Sequence, residues 1–157
     1  MRLHFVWVGK TKDRRCAALI EDYLARLRRF LTVEVSEVRD TGGSSEADTA
    51  GLIAKEGARI LAAVSKEESV ILLDERGESL STSELAALLG RHQVEGTRRL
   101  TIIIGGFAGV DDAVRLRADR CLSLSRFTLT HELARVLITE QLYRAVSLLA
   151  GFPYHKP

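Results

Sequence analysis

Leu3 to Val8 is an almost unbroken apolar run that stops at Gly9, the pattern of a buried strand. Ile20, Tyr23, Leu24, Leu27 and Leu31 then recur at helical spacing and predict an amphipathic helix over roughly residues 14–30. Val33, Val35 and Val38 lie among polar residues and indicate a second, less buried strand, followed by a loop from Asp40 to Asp48. Leu52, Ile53, Ile60, Leu61 and Val64 form the inner face of the next helix. Val70 to Leu73 is a short buried strand that ends at a turn, Asp74 to Gly77. Ser81 and Glu84 have capping-box spacing ahead of Leu85, Leu88 and Leu89, so a helix begins there. Leu100 to Ile104 is the strongest strand and is broken by Gly105-Gly106. Asp111-Asp112 caps a short helix containing Val114 and Leu116, Cys121 to Leu124 is another short strand, and the chain is helical from about Glu132 to Leu149. Strands alternating with helices predict an α/β fold with a mainly parallel sheet. No repeat or linker divides residues 1–157, which read as one domain.

The last helix has apolar residues almost all round, from Leu133, Val136 and Leu137 to Val146, Leu148 and Leu149. Glu132, Arg135, Thr139, Glu140, Arg144 and Ser147 fall between them, with no clean polar face. Such a helix needs cover on most sides, and one α/β layer covers only one. A two-fold homodimer is the expected source of the rest.

Composition narrows the class without naming it. A chain that is 46% hydrophobic and 28% charged is an ordinary globular domain, too short for separate cofactor and substrate domains. The net charge of +2 is no general argument for nucleic acid. Locally, Lys10, Lys12, Arg14, Arg15, Arg26, Arg28 and Arg29 outnumber Asp13, Glu21 and Asp22, which fits either a solvated helix face or a phosphate-binding one. Cys16 and Cys121 stand apart with no metal-ligand spacing. No apolar run is long enough for a signal peptide or membrane span, so the chain is expected in the cytoplasm, without metal or membrane.

Three segments carry candidate chemistry. Ile102 to Gly109 is a strand running into a glycine-rich turn, where the missing β-carbons let a ligand approach the backbone. It is neither a dinucleotide fingerprint nor a P-loop. Leu122 to His131 is a second strand end with a polar loop; Ser125, Thr128 and Thr130 there suit a ligand, a cap for the last helix, or both. Glu140 and Arg144 form an i,i+4 pair. The tail from Gly151 to Pro157 holds Phe152, Tyr154, His155 and Lys156, groups suited to stacking on a base beside a phosphate, or simply to docking the tail.

Leu72-Leu73-Asp74, Ile104-Gly105-Gly106 with Gly109, Leu122 to His131, Arg135 to Ala145 and Pro153-Tyr154-His155-Lys156, in this order and spacing, resemble the ribosomal RNA large subunit methyltransferase H family of SPOUT-class enzymes. The resemblance runs from Met1 to the tail. It implies an α/β knot: a mainly parallel sheet with helices on both faces and a C-terminal trefoil knot, an exception to ordinary chain connections. It also implies a homodimer that uses S-adenosyl-L-methionine (SAM) to methylate N3 of a pseudouridine in a stem-loop of 23S rRNA, on the ribosome. Carried over to this chain, the cofactor contacts fall at Leu73, Gly105, Leu124, Ser125, Arg126, Phe127, Thr128 and Leu129. Arg144, Tyr154 and His155 match positions tied to substrate binding or catalysis. Phe107-Ala108 replaces a variable, often smaller pair, and Lys156 stands where some members carry Arg.

A sulfonium cofactor calls for backbone carbonyls and apolar surface more than for lysines, which the glycine turn and the 124–129 loop offer. Methyl transfer needs the acceptor nitrogen in line and stripped of its proton. Arg144, or His155 directly or through water, is expected to favour the anion. The rival is a non-catalytic ribosome-associated RNA-binding module, which explains the basic helix and the tail but not two glycine- and serine-bearing strand ends. A nucleotide hydrolase is disfavoured by the missing P-loop and missing carboxylate cluster.

Overall fold

The computed structural model describes residues 1–42 and 49–154. The expected loop from Asp40 to Asp48 therefore lies mostly outside the described residues, as does His155. Five strands form one all-parallel sheet: β1 (Arg2–Val8), β2 (Thr32–Val38), β3 (Ser69–Ser79), β4 (Arg99–Ile104) and β5 (Arg120–Ser123), in the order β2-β1-β4-β3-β5. Five helices connect them: α1 (Arg14–Leu27), α2 (Thr49–Ala62), α3 (Thr82–Val94), α4 (Asp112–Arg117) and α5 (His131–Leu149).

Side-chain alternation along the strands makes two cores. Leu3, Phe5, Trp7, Ile102 and Ile104 face Ile20, Leu24 and Leu27 of α1, Leu85 and Leu89 of α3, and Ile138 and Leu142 of α5. Val6, Val8, Val70, Leu72 and Ile103 face the other way, against Ile60 of α2 and Val114 of α4. Burial on both faces is why β1 and β4 read as continuous apolar runs. Local signals place the helix starts. Ser81 and Glu84 form the reciprocal capping box of α3, Asp111 caps α4, and Thr130 caps α5.

Two expectations need correction. β3 does not stop at Leu73. It runs on to Ser79, and between Leu73 and Glu78 its register against β5 shifts, so that both residues face Leu122 and Asp74–Gly77 form a bulge. Gly77 permits this, because a β-carbon there would sit 2.6 Å from the Leu122 carbonyl carbon. The second concerns the cover of α5: much of it comes from its own chain, and its polar residues are not its exposed ones. Arg135, Thr139 and Ser147 are fully buried, whereas Leu133 and Leu137 are 46% and 39% exposed. The Thr139 and Ser147 hydroxyls donate back to the carbonyls of Arg135 and Tyr143, each at 2.8 Å, which removes the cost of burying them. α5 is thus covered by α1 and α3 of its own chain along most of its length, with leucines left over at its N-terminal half.

Candidate active site

The carboxyl ends of β3, β4 and β5 enclose a cavity of about 700 Å³. β4 ends at Ile104, and the turn that follows is closed by the Gly109 N–H donating to the Gly106 carbonyl at 3.1 Å. Side chains are excluded here: a β-carbon on Gly105 would meet Val110 Cγ1 at 2.8 Å, and one on Gly106 would meet Glu56 Oε2 at 2.9 Å. From β5 the chain enters a loop in which the Ser123 hydroxyl donates to the Ser125 carbonyl and the Phe127 N–H donates to the Ser125 hydroxyl, both at 2.9 Å. Thr130 then accepts from the Leu133 N–H at 3.3 Å and opens α5. The bulge of β3 forms a third wall. There Asp74 holds Arg115 through its Oδ2 at 3.0 Å, and Arg115 donates to the Val110 carbonyl at 2.8 Å, bracing the glycine turn. Burial pushes the Asp74 carboxyl up, but the Arg76 amide and Arg115 guanidinium outweigh it and hold it below the usual carboxylate range.

Of the residues expected at the cofactor, Leu73, Gly105, Leu124, Ser125, Phe127, Thr128 and Leu129 line this cavity. Arg126 is in the same loop but is exposed and not part of the lining. Several residues with charged or ionisable side chains were given no role by sequence, Glu75 and Arg76 of the β3 bulge among them. Asp74 and Arg115 are 41 positions apart and gave no spacing signal. His131 lines the cavity at the first turn of α5, and Glu56 of α2 is buried behind Gly106.

Arg144 and Tyr154, expected on the substrate side, are brought together, but not at this cavity. Arg144 Nη2 and Nε donate to Glu140 Oε1 at 2.5 and 3.0 Å, and its guanidinium lies 4.7 Å from the Tyr154 ring centre. The Tyr154 hydroxyl donates to the same carboxylate oxygen at 3.3 Å. Burial first, and then a hydrogen bond with Tyr23, push the Tyr154 hydroxyl up to about 12, so it is a hydrogen-bonding group rather than a base. At ~1.5 Å per residue, Arg144 is roughly 20 Å along α5 from His131. Within one chain the two groups of residues form separate sites. In the basic patch around α1, the Arg15–Asp13, Arg26–Asp22 and Arg28–Glu21 pairs occupy all three acids and leave Lys10, Lys12, Arg14 and Arg29 in excess. Among the described residues no helix is long and apolar enough to cross a membrane, and no three potential metal ligands cluster.

An all-parallel sheet with a glycine-lined cavity at its carboxyl strand ends is the arrangement in which α/β proteins commonly bind their ligands. Comparison with known proteins supplies the family. The model described as "Predicted SPOUT methyltransferase" matches residues 1–155. Proteins named ribosomal RNA large subunit methyltransferase H are similar over 99% of both chains: 46% identical in Syntrophotalea carbinolica, 41% in Geobacter sp. (strain M21) and 39% in Geotalea daltonii. The chain belongs to the SPOUT methyltransferase family, and it is a methyltransferase.

Proposed function

We propose that the chain transfers the methyl group of SAM to N3 of a pseudouridine in a stem-loop of 23S rRNA, acting in the cytoplasm on the ribosome as a homodimer. The observation that carries this reading is the convergence of Leu73, Gly105 and Ser125, from three separate strand ends, on one cavity in a chain whose relatives are named for large-subunit ribosomal RNA. The donor's sulfonium supplies an electrophilic methyl group. The wall suits such a cation: the Arg76 and Arg115 charges on it are matched by Asp74 and Glu75, the two glycines leave the backbone bare, and Leu73, Leu124 and Leu129 supply apolar surface. The fixed Asp74–Arg115 pair keeps the glycine turn in place without reorganisation, which favours in-line attack. On this reading, the trefoil threading implied by the sequence resemblance holds the 124–130 loop against the β3 bulge.

The substrate-side residues need a second chain. A two-fold partner would cover the exposed Leu133 and Leu137 and would bring its own Arg144, Tyr154 and His155 to this cavity. Glu140 orients the Arg144 guanidinium, and its positive charge favours the deprotonated ring nitrogen. A non-catalytic RNA-binding module does not account for the cavity. The test is mass spectrometry of 23S rRNA from cells with and without the gene. Loss of one methylated pseudouridine in the deletion strain, restored by this chain, is the expected result; unchanged rRNA overturns the reading.

A further inference from the structure

His131 lines the cavity that the glycine turn walls, Glu56 lies behind that turn, and each keeps hydrogen-bonding capacity that the fold does not use. His131 lines the cavity at the N-terminus of α5, half-buried, and its ring makes no hydrogen bond to another described residue. Glu56 is 3% exposed and uses half of its carboxylate: Oε1 accepts from the Thr41 N–H and hydroxyl, both at 3.2 Å, while Oε2 has no partner. That idle oxygen lies behind Gly106, 2.9 Å from the place a β-carbon would take. A buried carboxylate oxygen without a donor is costly, and it marks a place where positive charge is expected at some stage of the working cycle.

We propose that His131 is the proton acceptor of the methyl transfer, and that Glu56 is the positioning residue whose buried charge stabilises the imidazolium formed there. This rests on the methyltransferase reading above, with a weakly acidic ring N–H of a uracil-type base as acceptor. The N3–H bond breaks and its proton moves to the imidazole nitrogen. The freed electron pair forms the N3–CH₃ bond, the carbon–sulfur pair stays on sulfur, and the sulfonium becomes a neutral thioether. Imidazolium then returns the proton to water.

The charges around His131 suit this task. Burial is the largest influence and favours neutral imidazole, and the Arg135 guanidinium one turn along α5 and Lys12 of the β1–α1 connection add to it. The positive end of the α5 dipole acts in the same direction. Against them stand Glu132 on α5 and Glu56 on α2. The balance places His131 below the ordinary imidazole range, so at neutral pH the ring is free to accept a proton. Glu132 is already committed to the Lys12 and Asp13 amides, at 2.5 and 3.1 Å, which leaves Glu56 Oε2 as the uncommitted negative charge.

Two measurements on the full-length protein decide the proposal. NMR titration of the His131 ring, with no donor or RNA present, should show it neutral at pH 7, with its midpoint moving to lower pH in Glu56→Gln. A ring still protonated at pH 7, or a midpoint unmoved by Glu56→Gln, overturns the pairing. Single-turnover methylation by His131→Asn should fall on the order of 100- to 10,000-fold and lose the acid limb of the pH–rate profile, with calorimetric SAM affinity retained. Wild-type rate and profile in His131→Asn overturn the base assignment, and His131→Gln serves if the first variant does not fold. Failure of the wild-type protein to methylate 23S rRNA would instead count against the function itself, and the titration would still judge the pairing.

Discussion

Two hollows of nearly equal size sit at opposite ends of the sheet, about 700 Å³ at the carboxyl ends of the strands and about 730 Å³ at the amino ends, and they differ in how their polar groups are satisfied. At the amino end Glu68 accepts from the Thr101 hydroxyl and the Ser65 amide, stands 3.4 Å from His4 Nδ1, and lies 3.5 Å from Arg99. Arg99 also reaches Glu34 at 2.5 Å, and Arg117 donates to the Ser65 and Glu68 carbonyls at 2.8 Å. These groups largely pair with one another, although Arg99 Nε is buried without a hydrogen-bond partner. At the carboxyl end the glycine turn bares its backbone, Glu56 Oε2 and Arg135 Nε are buried without partners, and Phe107 and Phe127 stand 74% and 83% exposed beside the opening. Volume therefore does not distinguish a working site from a structural gap. The bared glycine backbone and the exposed aromatic rim do.

Substitutions at the two ends should separate activity from stability. Gly105→Val is expected to have the largest effect, since its side chain meets Val110 and Gly109 at once: methylation should drop on the order of 100-fold or more, with calorimetric SAM binding lost. Thr101→Val at the other end removes a buried donor to Glu68 and should cost roughly 1–3 kcal/mol in urea unfolding while SAM affinity holds. If Gly105→Val left donor binding intact, or Thr101→Val abolished it, the two ends would have been assigned the wrong way round.

His4 at the amino end adds to an acid sensitivity shared with His92 and His131, which burial also holds below the ordinary imidazole range. Burial, then Arg99, keeps the His4 pKa below its ordinary value, against the raising pull of Glu68 and Glu34. The unfolded chain therefore takes up this proton more readily than the folded one, and stability rises with pH across the window between the two pKa values. The contribution is complete above the unfolded value of about 6.5 and declines as pH falls from there towards the folded pKa. The urea midpoint should drop between about pH 7 and 5.5, and the drop should be shallower in His4→Asn. Smallest of all is Arg2→Gln, which removes a half-exposed guanidinium 3.2 Å from Glu34; a change under about 1 kcal/mol is expected by thermal melting.

Much of the fold was legible because its signals are local. Leu100 to Ile104 reads as a buried strand from composition alone, and Ser81 with Glu84 marks the start of α3 within four residues. The extension of β3 past Asp74 was not legible, because it depends on pairing with β5 some fifty positions away and on the missing β-carbon of Gly77. The cover that α5 receives from its own chain was not legible for a related reason: hydroxyls that bond to carbonyls one turn back can be buried as readily as leucines. The family resemblance brought most of the cavity lining into view, but not the idle oxygen of Glu56, which arises from how α2 meets the turn after β4.

The most direct test is an amide NMR titration of the protein with SAM. Resonances of residues 104–109 and 123–131, at the carboxyl ends of β4 and β5, should shift saturably while those of residues 65–69 and 95–99 stay in place. Saturable shifts confined to the second set, or no shifts at any donor concentration, would contradict the account.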